Sequence, residues 1–206
     1  MKPQIEELNF LKVINEAIGK DRHVDYLKKV KVDYARYLKF FNEQVFVDGG
    51  ENKSVYRFRV IYLKSSHFWK RTVWRDIEIL GREYFVLFAE VIIDSLGWFN
   101  DHMHGFRFPD PEERNSQYAV SPFEFFAPGW EDDPHPYFKS DQVKIDQINY
   151  ERFPRFHFEF DFGDGHEFQV DYKGTRPWSR KERVSQFPRL TDQRGVGPEQ
   201  YPPCEW

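Results

Sequence analysis

The stretch RFHFEFDFGDGHEFQVDY, residues 155–172, constrains the fold more than any other part of the chain. Phenylalanine occupies every second position up to a glycine-rich turn, and apolar residues alternate again after it. Period-two alternation sends successive side chains to opposite faces of a strand, so the pattern predicts an antiparallel hairpin with one apolar and one charged face. Residues directly opposite each other share a face, which makes the loop length readable from the apolar positions. A three-residue loop of Gly163, Asp164 and Gly165 sets Phe162 against His166, Phe160 against Phe168, Phe158 against Val170 and Phe156 against Tyr172. A two-residue Asp-Gly turn would set Phe160 against Gln169 and mix the faces. The three-residue loop is therefore expected, with Gly165 in the left-handed position such loops use. The same register crowds the acids: Glu159, Asp161, Asp164 and Glu167 fall within nine residues, and Asp161 faces Glu167. Like charges opposed across a strand pair disfavour folding, so the tip needs compensation. Loop amides donating to an aspartate, or an arginine from another segment, would supply it. A bound divalent cation is the other source.

The remaining pattern fills in an α+β fold: a mainly antiparallel sheet with one central packed helix, plus an N-terminal helical hairpin. Ile5, Leu8, Leu11, Ile14 and Ile18 recur at helical spacing up to Gly19, and Val24, Leu27, Val30, Tyr34, Tyr37 and Phe41 continue it after a break near Asp21. The polar stretch DGGENKS, residues 48–54, sets this extension, residues 1–47, apart from a domain over residues 55–201. Tyr56, Phe58, Val60 and Tyr62 alternate with arginines as a strand, and residues 73–79 form a weaker one. Phe85, Phe88, Ala89, Ile92 and Leu96 share a helical face that ends at Gly97. HMHGFRF, residues 102–108, reads as a strand carrying His102, His104, Phe106 and Phe108 on one side. The six prolines of residues 109–136 predict a long loop with one short strand near residues 124–126, and residues after 174 are expected to be mostly irregular.

With 22 Phe, 11 Tyr and 6 Trp in 206 residues, the core must be built largely from rings. One cysteine, Cys204, excludes an internal disulfide framework and supplies no activated nucleophile, since neither a helix dipole nor a cation adjoins it. Apolar runs such as YFVLFA fall far short of the ~20 residues that span a bilayer, and MKPQIEELNF carries charges where a signal peptide needs an apolar stretch. A cytoplasmic protein without a membrane partner is expected. The net charge of −4 conceals an asymmetry: residues 57–82 hold seven bases against two acids, residues 110–151 ten acids against three bases, and residues 176–194 six bases against two acids. No P-loop, Rossmann glycine pattern or internal repeat is present.

In this order, YRFRVIYL, VWRDIEI, SLGWFNDHMHGFRF, FEFDFGDGHEF and FPRLTDQRGVGPEQY resemble the plasmid pRiA4b ORF-3-like family, whose members include resolvase-labelled passenger proteins of insertion sequences. The likeness implies an α+β domain and a mobile-element association, and brings no established activity with it. Two positions depart from the family pattern. His166 stands where the family tends to have tryptophan after Asp-Phe-Gly-Asp-Gly. Pro198, Glu199, Gln200, Tyr201, Pro202 and Pro203 replace a Pro-Glu-Asp-Cys-Gly-Gly ending. A resolvase's serine nucleophile beside an arginine-rich N-terminal strand is also missing from the sequence.

Three functional readings follow. A non-enzymatic binding module would contact nucleic acid through Arg57, Arg59, Arg71, Arg75, Arg180, Lys181 and Arg183, with Trp74 and Trp178 for stacking. A metal-dependent hydrolase or nuclease would hold a divalent ion with His102 and His104, two residues apart on one strand face, together with Asp161, Asp164 or His166. Those histidines share their face with Phe106 and Phe108, where hydrogen-bonded core histidines are the ordinary alternative. An adaptor for another protein would use the proline-containing loop or the tail from residue 195. The binding module is the preferred expectation, with the hydrolase as its alternative.

Overall fold

The computed structural model describes residues 1–5, 10–20, 24–49, 53–64, 72–111, 117–120 and 136–201. Helices α1 (Phe10–Ile18) and α2 (Val24–Phe40) come first, and α2 runs into one π-helical turn at Phe41–Val45. Strands β1 (Val55–Lys64) and β2 (Trp74–Leu80) precede α3 (Phe85–Asp94). Then come β3 (His104–Pro109), β4 (Gln117–Val120), β5 (Arg155–Phe160), β6 (His166–Arg176) and β7 (Arg189–Arg194). The seven strands form one sheet in the order β4-β3-β5-β6-β1-β2-β7, with every pairing antiparallel. The fold is thus the expected α+β architecture.

One face of the sheet carries the core. Phe58, Phe106, Phe108, Phe156, Phe158, Phe160, Phe168 and Val170 are buried on it, and α3 lies across them with Phe85, Phe88, Ala89 and Ile92. The rings interlock: Phe106 stacks on Phe88 at 5.7 Å and meets Phe85 edge-on at 4.7 Å, while Phe108 stacks on Phe156 at 5.0 Å. Burying each such side chain contributes about 1.5–3 kcal/mol. Gly97 (φ 75) ends the helical segment in the left-handed conformation its position suggested. The N-terminal helices dock on the same core. Tyr37 ties them down by donating to Ala119 O and accepting from Phe138 N, both at 2.8 Å.

The hairpin differs from expectation by two residues. Phe160 faces His166, Phe158 faces Phe168, Phe156 faces Val170 and Glu159 faces Glu167. A two-residue slip preserves parity, so the rings still gather inward, but five residues, 161–165, make the loop. Asp161 adopts φ 52, and its Oδ1 accepts from the amides of Gly163 (3.0 Å) and Asp164 (3.2 Å). That bracing lets the strands separate earlier, and it turns Phe162 onto Gly105 and Arg107 of the opposite face. Gly165 is left-handed (φ 64), as expected.

Three further segments depart from the sequence reading. β3 starts at His104, so His102 precedes the strand. The short strand expected near residues 124–126 lies outside the described residues, whereas β4 pairs with β3 earlier, at Gln117–Val120. β7 arises in the stretch expected to be irregular. It is an edge strand exposed on both faces, so its stability comes from backbone pairing with β2 and no apolar alternation marks it. Residues 177–188 bring the chain there from β6. They pass over the outer face, where Phe187, Trp178 and Val184 cover Val55 and Leu80.

Candidate functional site

The outer face of the sheet carries the side chains that alternate with the rings, and cross-strand register decides how their charges meet. Glu159 and Glu167 face each other on β5 and β6. Arg107 from β3 pairs with Glu159, and Lys64 from β1 pairs with Glu167 at 2.9 Å. The crowded carboxylates are therefore neutralised from flanking strands, with a third cluster where Asp171 takes Arg155 at 2.8 Å and Lys173 at 3.1 Å. Burial alone would push the Asp171 carboxyl up; these two cations hold it below the ordinary range.

The residues expected to contact nucleic acid divide sharply. Arg59 is committed: it faces Asp76 across β1 and β2, binds both carboxylate oxygens at 2.7 Å, and lies 4.0 Å over the Trp74 ring. That leaves Trp74 covered by its own arginine. Arg75 points into the protein, contrary to expectation, because its position on β2 belongs to the core face. Its guanidinium donates to the carbonyls of Ser95 (2.9 Å), Trp74 (2.9 Å), Arg194 (3.1 Å) and Gly195 (3.1 Å), joining the end of α3 to the end of β7. Replacing Arg75 by Met is expected to lower the unfolding free energy by about 2 kcal/mol, read from urea denaturation, by orphaning those carbonyls. Arg71 lies outside the described residues. Arg57 is exposed and donates to Lys173 O at 3.3 Å, and Arg180, Lys181 and Arg183 are exposed on the 177–188 connector. Trp178 packs, half-buried, on Val55 and Leu80.

Beneath that connector sits an ion network. Glu78, from β2, accepts from Arg176 (2.9 and 3.1 Å) and from Arg189 (2.7 and 3.0 Å). Burial would raise its carboxyl, but the two arginines override that and hold it below its ordinary 4.5. Glu182, from the connector, accepts from the same two guanidiniums. Both Glu78 and Glu182 are thus spent internally. Among the described residues, no carboxylate pairs with Arg180, Lys181 or Arg183.

At the opposite end of the hairpin, the residues expected to ligate a metal are not gathered. His102 Nε2 approaches Asp161 Oδ2 at 3.6 Å, with the His102 side chain half-exposed. His104 is buried and shares a 3.1 Å hydrogen bond with Ser140 Oγ. His166, 1% exposed, meets Tyr62 OH at 3.3 Å and the Trp98 ring at 4.4 Å. Asp164 contributes its amide to Asp161. Among the described residues, no three His, Cys, Asp or Glu side chains converge as ion ligands.

What does converge there is sequence-distant. Trp98 Nε1 donates to Pro198 O at 2.9 Å, and the Gln200 side chain grips Phe99 through both N (2.7 Å) and O (2.9 Å). Tyr201 donates to Asp101 Oδ1 at 2.7 Å, which lowers the Asp101 carboxyl. Partial burial and that carboxylate raise the Tyr201 phenol. The Tyr201 and His102 rings meet edge-on with centroids 5.8 Å apart. Sequence reasoning passed over Asp101, Gln200 and Tyr201, since single polar residues in irregular segments carry no periodic signal. Only their place inside motifs that resemble a family marked them.

A family model described as plasmid pRiA4b ORF-3-like protein matches residues 54–201. The chain belongs to this family. Each pRiA4b ORF-3-like segment that meets at the hairpin tip lies within the match. No curated protein matches the sequence. Among solved structures, the chain is similar to a protein of unknown function, MM3350 from Methanosarcina mazei Go1, with a TM-score of 0.54 at 18% identity. The alignment covers 72% of this chain and 74% of that one. That likeness establishes a shared fold. No described helix is long and apolar enough to cross a membrane.

Proposed function

We propose that this pRiA4b ORF-3-like protein is a non-enzymatic cytoplasmic binding module whose connector, residues 177–188, docks on the phosphate backbone of a nucleic acid. One observation carries the reading. Arg57, Arg180, Lys181 and Arg183 remain exposed on one side of the sheet, while the nearby carboxylates Glu78 and Glu182 are consumed by Arg176 and Arg189. The local field is therefore positive although the whole chain is acidic, and phosphate neutralisation needs only the local field. The mobile-element association implied by the family resemblance agrees with such a partner. Among the described residues the hydrolase reading retains the His102–Asp161 approach, and two ligands fall short of the three or four that hold a catalytic ion.

The test is binding of single-stranded and duplex oligonucleotides across a salt series. For four phosphate contacts the slope of log K against log salt is expected near −3 to −4. The triple variant R180Q/K181Q/R183Q should flatten that slope by about 2–3. Affinity that ignores salt, or a triple variant that binds like the parent, overturns the reading.

A further inference from the structure

We propose that the fork formed by Arg176 and Arg189 is a phosphate-binding site, and that Glu182 of the same chain occupies it as a displaceable stand-in. The proposal rests on the nucleic-acid reading above and gives it a specific seat for one backbone phosphodiester.

The donor arrangement around the Glu182 carboxylate is that of an oxyanion receptor. Arg176 meets it through two parallel bonds, Nη1 to Oε2 at 2.9 Å and Nη2 to Oε1 at 2.8 Å. Arg189 Nη2 adds a bond to Oε1 at 3.0 Å, and the backbone amide of Ser179 adds one to Oε2 at 3.2 Å. Two guanidiniums and an amide around two oxygens suit a phosphate, which presents the same paired acceptors on a tetrahedral centre. The Arg176 bonds hold the Glu182 carboxyl down at about 2, so it is anionic throughout the working pH range.

The fork is organised from behind. Glu78 lies midway along β2, with its side chain only 9% exposed, and binds both guanidiniums from the protein side. The centre of the Phe187 ring lies 4.7 Å from the Arg189 guanidinium carbon and 6.0 Å from that of Arg176, within cation–π range of both. Glu78 is held by strand register. Glu182 comes instead from a connector turn closed by its own amide bond to Ser179 O at 2.9 Å. The two acids are therefore unequal: one is part of the frame, and the other fills the outward position. Releasing Glu182 leaves two guanidiniums facing one carboxylate, beside the exposed Arg180, Lys181 and Arg183. A phosphodiester entering there replaces one anion by another, so it need not disturb Glu78.

The test compares the parent chain with Glu182→Gln, which keeps the side-chain shape and removes the competing charge. Single-stranded oligothymidylate and inorganic phosphate serve as separate probes in calorimetry. Glu182→Gln is expected to bind oligothymidylate about tenfold more tightly, with the salt slope steeper by about 0.7, and to bind inorganic phosphate measurably. Arg189→Gln added to Glu182→Gln should erase both gains. Glu182→Ser provides a second version of the release should glutamine disturb the turn, with folding checked by circular dichroism. If Glu182→Gln and Glu182→Ser match the parent toward both probes, the fork is not a phosphate site, whether or not the exposed connector cations bind nucleic acid. If the released variants take inorganic phosphate but no variant binds oligothymidylate or duplex, the fork stands and the nucleic-acid reading falls.

Discussion

Replacing Phe106 by Ala is expected to lower the unfolding free energy by about 3–5 kcal/mol, a large fraction of what a domain of this size holds in reserve. Phe106 is 0% exposed and sits where three ring systems meet: Phe88 stacked at 5.7 Å, Phe85 edge-on at 4.7 Å and Phe158 at 4.9 Å. Its neighbours come from α3 and from β5, which is paired on both sides, so they have little freedom to collapse into the space the lost ring leaves. The cost therefore includes both the lost transfer energy and a persistent cavity. Aromatic geometry adds to it, since edge-on and offset pairs are worth about 0.5–1.5 kcal/mol beyond burial. Urea denaturation reads the change as a lower midpoint at unchanged slope. Phe99→Ala is the companion measurement: Phe99 is 75% exposed, and its loss should fall within about 0.5 kcal/mol of no effect. Similar losses at the two positions would contradict the ring-built core.

The residues that made the core legible are those whose period matched their element. Phe156, Phe158, Phe160, Phe168 and Val170 alternate in the sequence and are buried together, so the facing of the hairpin was readable even though its register was not. Register depended on Asp161 adopting a left-handed conformation and capping two loop amides. That choice is made by local hydrogen bonds, and the alternation permits either loop because both keep parity. β7 was illegible for a related reason: it is exposed along nearly its whole length and held by backbone pairing with β2, so its side chains carry no apolar alternation.

At the candidate site, composition located the basic segments but could not tell which cations were already committed. Arg59 and Arg75 look alike in RFRV and VWRD, yet one faces Asp76 across the sheet and the other turns to backbone carbonyls at the end of α3. The pairing partner of a charged side chain is a tertiary fact. The same holds for His102 and His104: spacing put them on one strand face, whereas the strand begins at the second of them and leaves the first outside.

His104 gives the second large effect, and its sign is set by burial. The Ser140 hydroxyl lies at 3.1 Å and the Phe106 and Phe158 rings lie about 6 Å away, and burial of the imidazole lowers its pKa from 6.5 to about 4. The unfolded chain binds a proton at this position below about pH 6.5, while the folded chain resists until about pH 4. Stability from His104 is therefore fully present above pH 6.5, falls as pH drops through that window, and levels off below about 4, a loss of about 3 kcal/mol. His157, also lowered chiefly by burial, falls in the same direction, and Glu78 adds a loss below its ordinary 4.5. A difference measurement separates them. His104→Gln keeps a neutral polar group near Ser140 and removes the titration, so the stability gap between parent and variant should shrink by about 3 kcal/mol between pH 7 and pH 4. Urea midpoints at unit pH intervals provide the comparison. A gap that stays constant over that range would mean that the buried imidazole accepts its proton without cost, and that Ser140 and the surrounding rings do not hold it neutral.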